Sequence, residues 1–215
     1  SAIALAQNPI LMAKAMKEAG CRLVCVGFES PTQDALEGVI KKTNMERQIE
    51  FMEDVRNADL LVNGCFIMGL PGDTPQTMQL TIDFAKELMP NTAQFYPHML
   101  YPGTGSFKWA DENGFVKTKN WAKWLTPDGL HNTVLELPGL NPDDLLNWSN
   151  KGRLDFYLNP KYLRKMFMQA IISPREGIRM LISGKTFFKH LINYLLFKMG
   201  LKKNNDSQQS IALVD

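Results

Sequence analysis

The residues of this chain that could do chemistry gather in three short segments, each at the end of an apolar run. They are Gly27-Phe28-Glu29-Ser30, Met68-Gly69-Leu70-Pro71-Gly72-Asp73-Thr74 and Leu100-Tyr101-Pro102-Gly103-Thr104. A carboxylate that closes a strand, as Glu29 does, can accept hydrogen bonds from ribose hydroxyls or from an amino group. Strand alternation sets it on the side of Gly27 and Cys25. A salt-bridged loop carboxylate is the plainer alternative. The run from Gly69 to Asp73 has neither the G-x-x-x-x-G-K-[ST] nor the G-x-G-x-x-G pattern of a phosphate loop, so it reads as a turn onto a helix N-terminus. Gln94, Tyr96 and His98 share one strand parity, a polar stripe on an otherwise apolar run. They are candidates for pocket lining. A hydrogen-bonded structural role for His98 stands equally open.

The elements that must position these segments alternate. Asn8-Pro9 reads as a helix cap with proline at the first helical position, and Gly20 stops that helix. Cys21 to Phe28 is short, apolar and β-branched, the signature of a buried parallel strand. Helices are expected from Gln33 to Ile40 and, after the capping box Thr43-Asn44-Met45-Glu46, to about Asn57. Leu60 to Met68 is the second strand, Thr74-Pro75 caps a third long helix, and Pro90-Asn91 breaks it. Thr92 to Leu100 is the third strand, and a short helix runs on to Asn113. This is an α/β chain of three parallel strand–helix units with right-handed crossovers.

Those three strand ends resemble the radical S-adenosylmethionine (radical SAM) enzymes. The resemblance covers roughly residues 1–115 and is nearest to the subgroup with a cobalamin-binding domain, whose members carry similar G-F-E-S, F-I-x-G-L-P-G-[ED]-T and Y-P-G-T segments. It implies the second half of a partial (β/α)6 barrel, with S-adenosylmethionine bound through Glu29, Ser30, Ile67, Gly69, Tyr101 and Pro102. By that resemblance Ile67 packs on the adenine face, Gly69 lets the backbone approach it, and Tyr101-Pro102 sets backbone groups against the adenine edge. From the residues alone, Ile67 is as readily ordinary core. The family's [4Fe–4S] ligands follow a C-x3-C-x2-C motif. Cys21 and Cys25 have the first spacing, but position 28 is Phe, and a cluster needs three thiolates converging from a loop. Both are expected to be core cysteines, and no residue is assigned as metal ligand or catalytic group. His98, His131 and His190 show no ligand spacing either, and Gly184-Lys185-Thr186 lacks the upstream glycine of a phosphate loop.

Three units cannot close a barrel, whose complete (β/α)8 form needs ~250 residues. The sequence is therefore expected to be the C-terminal part of a longer protein. The cluster-binding half of that protein and any cobalamin domain would lie upstream, and the piece alone would be inactive. The expected domains are 1–115 (half-barrel), 116–140 (a covering loop), 141–203 (a basic helical extension) and 204–215 (a tail). Cys21 to Phe28 should be an exposed sheet edge. The implied reaction is reductive cleavage of S-adenosylmethionine, with cobalamin-assisted methyl transfer or rearrangement on a small-molecule or lipid-like substrate. A non-catalytic half-module packing on a partner chain is the alternative.

Composition agrees with a globular protein: 45% hydrophobic and 21% charged over 215 residues, with three cysteines. That usage excludes disordered, collagenous and disulfide-scaffold classes and suits a reducing cytosol. The net charge of +2 conceals an asymmetry. Residues 1–150 carry 12 Lys+Arg against 18 Asp+Glu, whereas residues 151–203 carry 12 against Asp155 and Glu176 alone. The basic arm is expected either to pack across the barrel or to lie on an anionic membrane, a peripheral site on the inner surface. The apolar run around Thr186 to Met199 is too short to span a bilayer. No nucleic-acid reading module is present, so nucleic acid is not expected as a partner.

Overall fold

In the computed structural model, which describes residues 8–30, 45–125 and 132–198, helix and strand alternate through residue 112. The order is α1 (Pro9–Glu18), β1 (Leu23–Glu29), α2 (Met45–Asn57), β2 (Leu61–Met68), α3 (Pro75–Leu88), β3 (Thr92–Pro97) and α4 (Gly105–Glu112). Three further helices follow, α5 (Pro142–Tyr157), α6 (Pro160–Ile172) and α7 (Pro174–Lys198). The helix expected over 33–40 and the Thr43 capping box lie outside the described residues. So does His131.

The local signals act as their chemistry requires. Asn8 accepts the Leu11 amide through its side chain at 3.2 Å, with Pro9 behind it. Thr74 and Thr77 form a reciprocal capping box that satisfies two orphan amides of α3. The strands pair in parallel in the order β1-β2-β3, with Val24 opposite Val62 and Phe66 opposite Phe95. A register shift between Gly27 and Glu29 bends the end of β1. β3 ends at Pro97, three residues sooner than its apolar run suggests, although the His98 amide still donates to the Met68 carbonyl at 2.8 Å.

One sheet face is buried and one is open. Val24, Val26, Phe28, Val62, Phe66, Met68, Ala93 and Phe95 fill the buried face. There Phe28, Phe66 and Phe95 stack across the three strands, with ring centroids 5.6 and 5.2 Å apart. Phe51 of α2 and Phe156 of α5 close the row at 6.3 Å each. Each such pair contributes ~0.5–1.5 kcal/mol beyond its area burial.

Helix α5 lies against β3. The Tyr157 hydroxyl accepts the Ala93 amide at 3.1 Å and donates to the Ala93 carbonyl at 2.9 Å. Arg153 donates to the Phe95 carbonyl at 2.7 Å. These side chains take the edge groups that a further strand would take. A sheet edge is thereby covered by a helix. At the other side, β1 is the edge strand among the described residues.

The chain divides into two compact units, and their boundary differs from the expected one at residue 141. The first comprises the described residues through Lys119 together with Thr133–Tyr157, so α5 belongs with the sheet. Its contacts with β3 and with Gly69 explain why. The second comprises the described residues of 120–132 and 158–198. The expected covering loop is ordered in part as short antiparallel pairings, Val116 with Leu135 and Leu137 with Leu140, and Val134, Leu135, Leu137 and Leu140 are buried.

Candidate active site

The carboxyl ends of parallel strands are where β/α proteins bind ligands. Two of the three loops there share one device. In Leu70-Pro71-Gly72-Asp73 the Asp73 amide donates to the Leu70 carbonyl at 2.9 Å, with Gly72 at φ +81°. In Tyr101-Pro102-Gly103-Thr104 the Thr104 amide donates to the Tyr101 carbonyl at 3.1 Å, with Gly103 at φ +84°. Proline second and left-handed glycine third define a type II turn. Each turn delivers a threonine N-cap, Thr74 or Thr104, to the next helix.

Asp73 holds the first of these loops together. One carboxylate oxygen accepts the Gly69 and Leu70 amides at 2.9 and 2.8 Å, and the other accepts the Thr77 hydroxyl at 2.7 Å. Burial raises its pKa above the usual carboxylate range, and the three donors pull it partly back. His98 then ties this loop to the next. Its Nδ1 lies 3.0 Å from the Gly69 carbonyl oxygen and its Nε2 2.6 Å from Ser106 Oγ of α4. The ring is buried. Gln94 and Tyr96 stay half-buried on the open face, so the parity that joins all three residues in the sequence ends at Pro97.

The other expected site residues fall in different surroundings. Ile67 is half-buried on the open face, in register with Tyr96. Tyr101 is 48% exposed and Pro102 is exposed at the rim. Ser30 is buried, its hydroxyl 3.3 Å from that of Thr81 on α3. Gly69 has φ +92°, and an added Cβ there would lie 2.8 Å from a Leu145 methyl of α5. The close approach at Gly69 is thus made by a helix of the same chain. Glu29 ends β1 at the bulge, opposite Phe66.

The open face carries a hydrogen-bonded band that the sequence did not announce. Thr92 donates to Asn63 at 2.9 Å, and Asn63 Nδ2 reaches Cys25 Sγ at 3.6 Å. Cys25 Sγ lies 3.5 Å from Cys65 Sγ, which donates to Gln94 Oε1 at 3.6 Å, and the Tyr96 hydroxyl donates to the same oxygen. Cys25 is exposed, which corrects its expected place in the core. It belongs to the face opposite Val24 and Val26 and follows the same alternation. Arg153, behind β3, has its pKa pushed down to about 10 by burial, with Tyr96 and Tyr157 acting in the other direction. It is still a cation at neutral pH. Sequence reasoning placed Asp73 in a strand-end turn without giving it a role, and passed over Arg153 and Tyr157. Only Asp73 carried a signal, a carboxylate directly after a Pro-Gly turn and before a helix cap.

Comparison with known proteins bears on what this rim is. Residues 2–85 match the model of the Radical SAM superfamily. An uncharacterised methyltransferase of Pyrococcus horikoshii is 35% identical over 72% of this chain and 33% of its own length. The bacteriochlorophyllide d C-8(2)-methyltransferase of Chlorobaculum tepidum is 28% identical over 83% of this chain and 38% of its own. The chain therefore spans about a third of the length of these curated relatives. Among solved structures, the coproporphyrinogen III oxidase of Escherichia coli, a radical SAM enzyme, aligns over 71% of this chain and 30% of its own. That alignment has 14% identity and a TM-score of 0.49. The parallel strand–helix repeats, the three strand-end segments and the family match agree: residues 2–85 are part of a radical SAM domain.

Proposed function

We propose that this chain forms the S-adenosylmethionine-binding part of a radical SAM methyltransferase. The single observation that carries this reading is the register of the sheet. It brings the end of β1 at Glu29, the Ile67–Tyr96 pair and the Tyr101-Pro102 turn to one end of three parallel strands. When bound, S-adenosylmethionine would supply the methyl group or the 5′-deoxyadenosyl radical; the protein's part is binding, orientation and exclusion of water. Ile67 and Tyr96 offer an apolar and aromatic surface to the adenine, and Tyr101-Pro102 a rim beside it. Glu29 is the acceptor for ribose hydroxyls or the amino group. Ser30, Gly69 and His98 act one step behind, since their hydroxyl, α-carbon and ring are taken up by Thr81, Leu145 and the loop network.

The iron–sulfur cluster does not fit the described residues. Cys25 and Cys65 are free thiols in hydrogen-bond contact, Cys21 points its thiol to the Leu23 carbonyl, and no group of three metal-ligating side chains converges among the described residues. In the proposed whole protein the cluster and any cobalamin are held by other segments, and the substrate is a small or lipid-like molecule. Relatives that are methyltransferases favour methyl transfer over rearrangement.

The test is S-adenosylmethionine binding by the full-length protein, anaerobically reconstituted, with 5′-deoxyadenosine release assayed alongside. Glu29→Gln should weaken binding by ~1–3 kcal/mol, the range for losing a charged hydrogen-bond partner. An unchanged dissociation constant removes Glu29 from the site. Absence of any binding in the reconstituted wild type supports the non-catalytic module instead.

A further inference from the structure

The second unit holds an inverted helical hairpin. Helices α6 and α7 are joined through Ser173, and Ala170 packs against Gly177, where an added Cβ would lie 3.2 Å from that of Ala170. Their mutual contact thus uses two of the smallest residues. Tyr162 is buried, but most of the large aliphatic and aromatic side chains described in the two helices are left outside. Phe167 is 68% exposed, Ile172 79% and Leu181 76%, and Leu163, Ile171, Ile178 and Ile182 are exposed with them. A hairpin stabilised by its own apolar contact would bury these side chains between its helices.

Charge follows a pattern too. Residues 160–198 contain eight Lys and Arg against Glu176 alone. Glu176 is ion-paired with Arg179. Arg164 on α6, and Arg175, Arg179, Lys185 and Lys189 on α7, are exposed beside the apolar residues. At helical spacing, Leu163, Phe167 and Ile171 form one stripe with Arg164 on its flank. Ile178, Leu181 and Ile182 form another, flanked by Arg175 and Arg179. Apolar side chains beside an excess of cations are the complement of one environment, acyl chains beneath anionic headgroups. A protein partner of ordinary composition would leave the cations unpaired at the buried patch. No described helix is long and apolar enough to cross a membrane.

From these observations we infer that the α6–α7 hairpin is an interfacial membrane anchor for anionic lipid. Phe167, Ile171, Ile172, Leu181 and Ile182 enter the headgroup–acyl boundary, and the arginines and lysines lie at the level of the phosphates. The anchor stands on its own, apart from the cofactor reading. It also gives a radical SAM protein a means of meeting an apolar substrate where that substrate is concentrated.

The experiment is co-sedimentation of the full-length protein with vesicles of phosphatidylcholine, with and without phosphatidylglycerol. The protein should pellet with the anionic vesicles, weakly with the neutral ones, and be released by high salt. A Phe167→Ser/Ile171→Ser/Leu181→Ser variant and an Arg164→Gln/Arg175→Gln/Arg179→Gln variant should each bind about tenfold more weakly or worse. Both should keep wild-type circular dichroism and wild-type S-adenosylmethionine affinity, since these side chains are exposed and remote in role from the strand ends. Binding that ignores phosphatidylglycerol, or survives both variants, overturns the anchor. A Phe167→Trp probe supplies the second arm. Its emission should move to the blue only when anionic vesicles are added. Emission already blue-shifted without lipid would show the patch covered by another part of the longer protein or by a second copy, and the anchor would be wrong.

Discussion

Replacing Gly69 by alanine separates two accounts of why glycine stands in the second strand-end loop. If the residue were needed only for a cofactor's approach, the protein without cofactor would tolerate Ala. The structure requires a cost. A left-handed φ of +92° is disfavoured for Ala by ~1–2 kcal/mol. The new Cβ would also lie 2.8 and 3.0 Å from the two methyls of Leu145, whose side chain is fully buried and has nowhere to swing. Overpacking of this kind costs a further ~1–3 kcal/mol, so Gly69→Ala should destabilise by ~2–5 kcal/mol in all. A double-mutant cycle isolates the contact. Leu145→Ala alone leaves a cavity worth ~2–5 kcal/mol. In the double variant the methyls that would clash are gone, so its loss should fall short of the sum by ~1–3 kcal/mol, while the backbone strain remains. Urea denaturation followed by circular dichroism, on all four proteins without cofactor, reads these differences. Additive losses within ~0.5 kcal/mol would refute the Leu145 contact, and a neutral Gly69→Ala would refute the strain as well.

Asp73→Ala should destabilise by ~2–4 kcal/mol because it orphans two buried amides, whereas Asp73→Asn, which can still accept both, should cost under ~1 kcal/mol. Since burial raises the Asp73 pKa in the folded state, the folded protein holds this proton more tightly. The Asp73 contribution to stability is therefore full at low pH and declines as pH rises through the raised value. Denaturation across the carboxylate range should show that slope in the wild type and not in Asp73→Asn. Equal damage from Ala and Asn would mean that the charge, not the acceptor, holds the loop. Tyr157→Phe should cost ~1–3 kcal/mol and speed hydrogen exchange at the Ala93 amide, whose hydrogen bond at the sheet edge it removes. Unchanged protection at Ala93 would show that α5 is not what covers that edge.

What the sequence determined by itself was local. Asn8-Pro9, Thr74-Pro75 and the two Pro-Gly turns encode their conformations in a few adjacent residues, because a cap or a type II turn is satisfied by its own side chains and backbone. A short apolar run likewise located β2 within one residue of its observed start. The three strand-end segments marked the carboxyl end of the sheet. Tertiary structure alone decided which side of each strand faced helices and which lay open. Cys21 to Phe28 and Leu60 to Met68 are nearly continuous apolar runs, so no alternation in them distinguished the face of Val24 from that of Cys25. The fate of His98 was also beyond the sequence, because its ring is held by a carbonyl 29 residues upstream, not by its neighbours. The place of α5 was hidden for the same reason. Its helical period says that one face is apolar, but the partners that fix it, Gly69, Ala93 and Phe95, come from segments more than fifty residues away. Contacts of that separation depend on how the whole sheet closes, which no window of sequence contains.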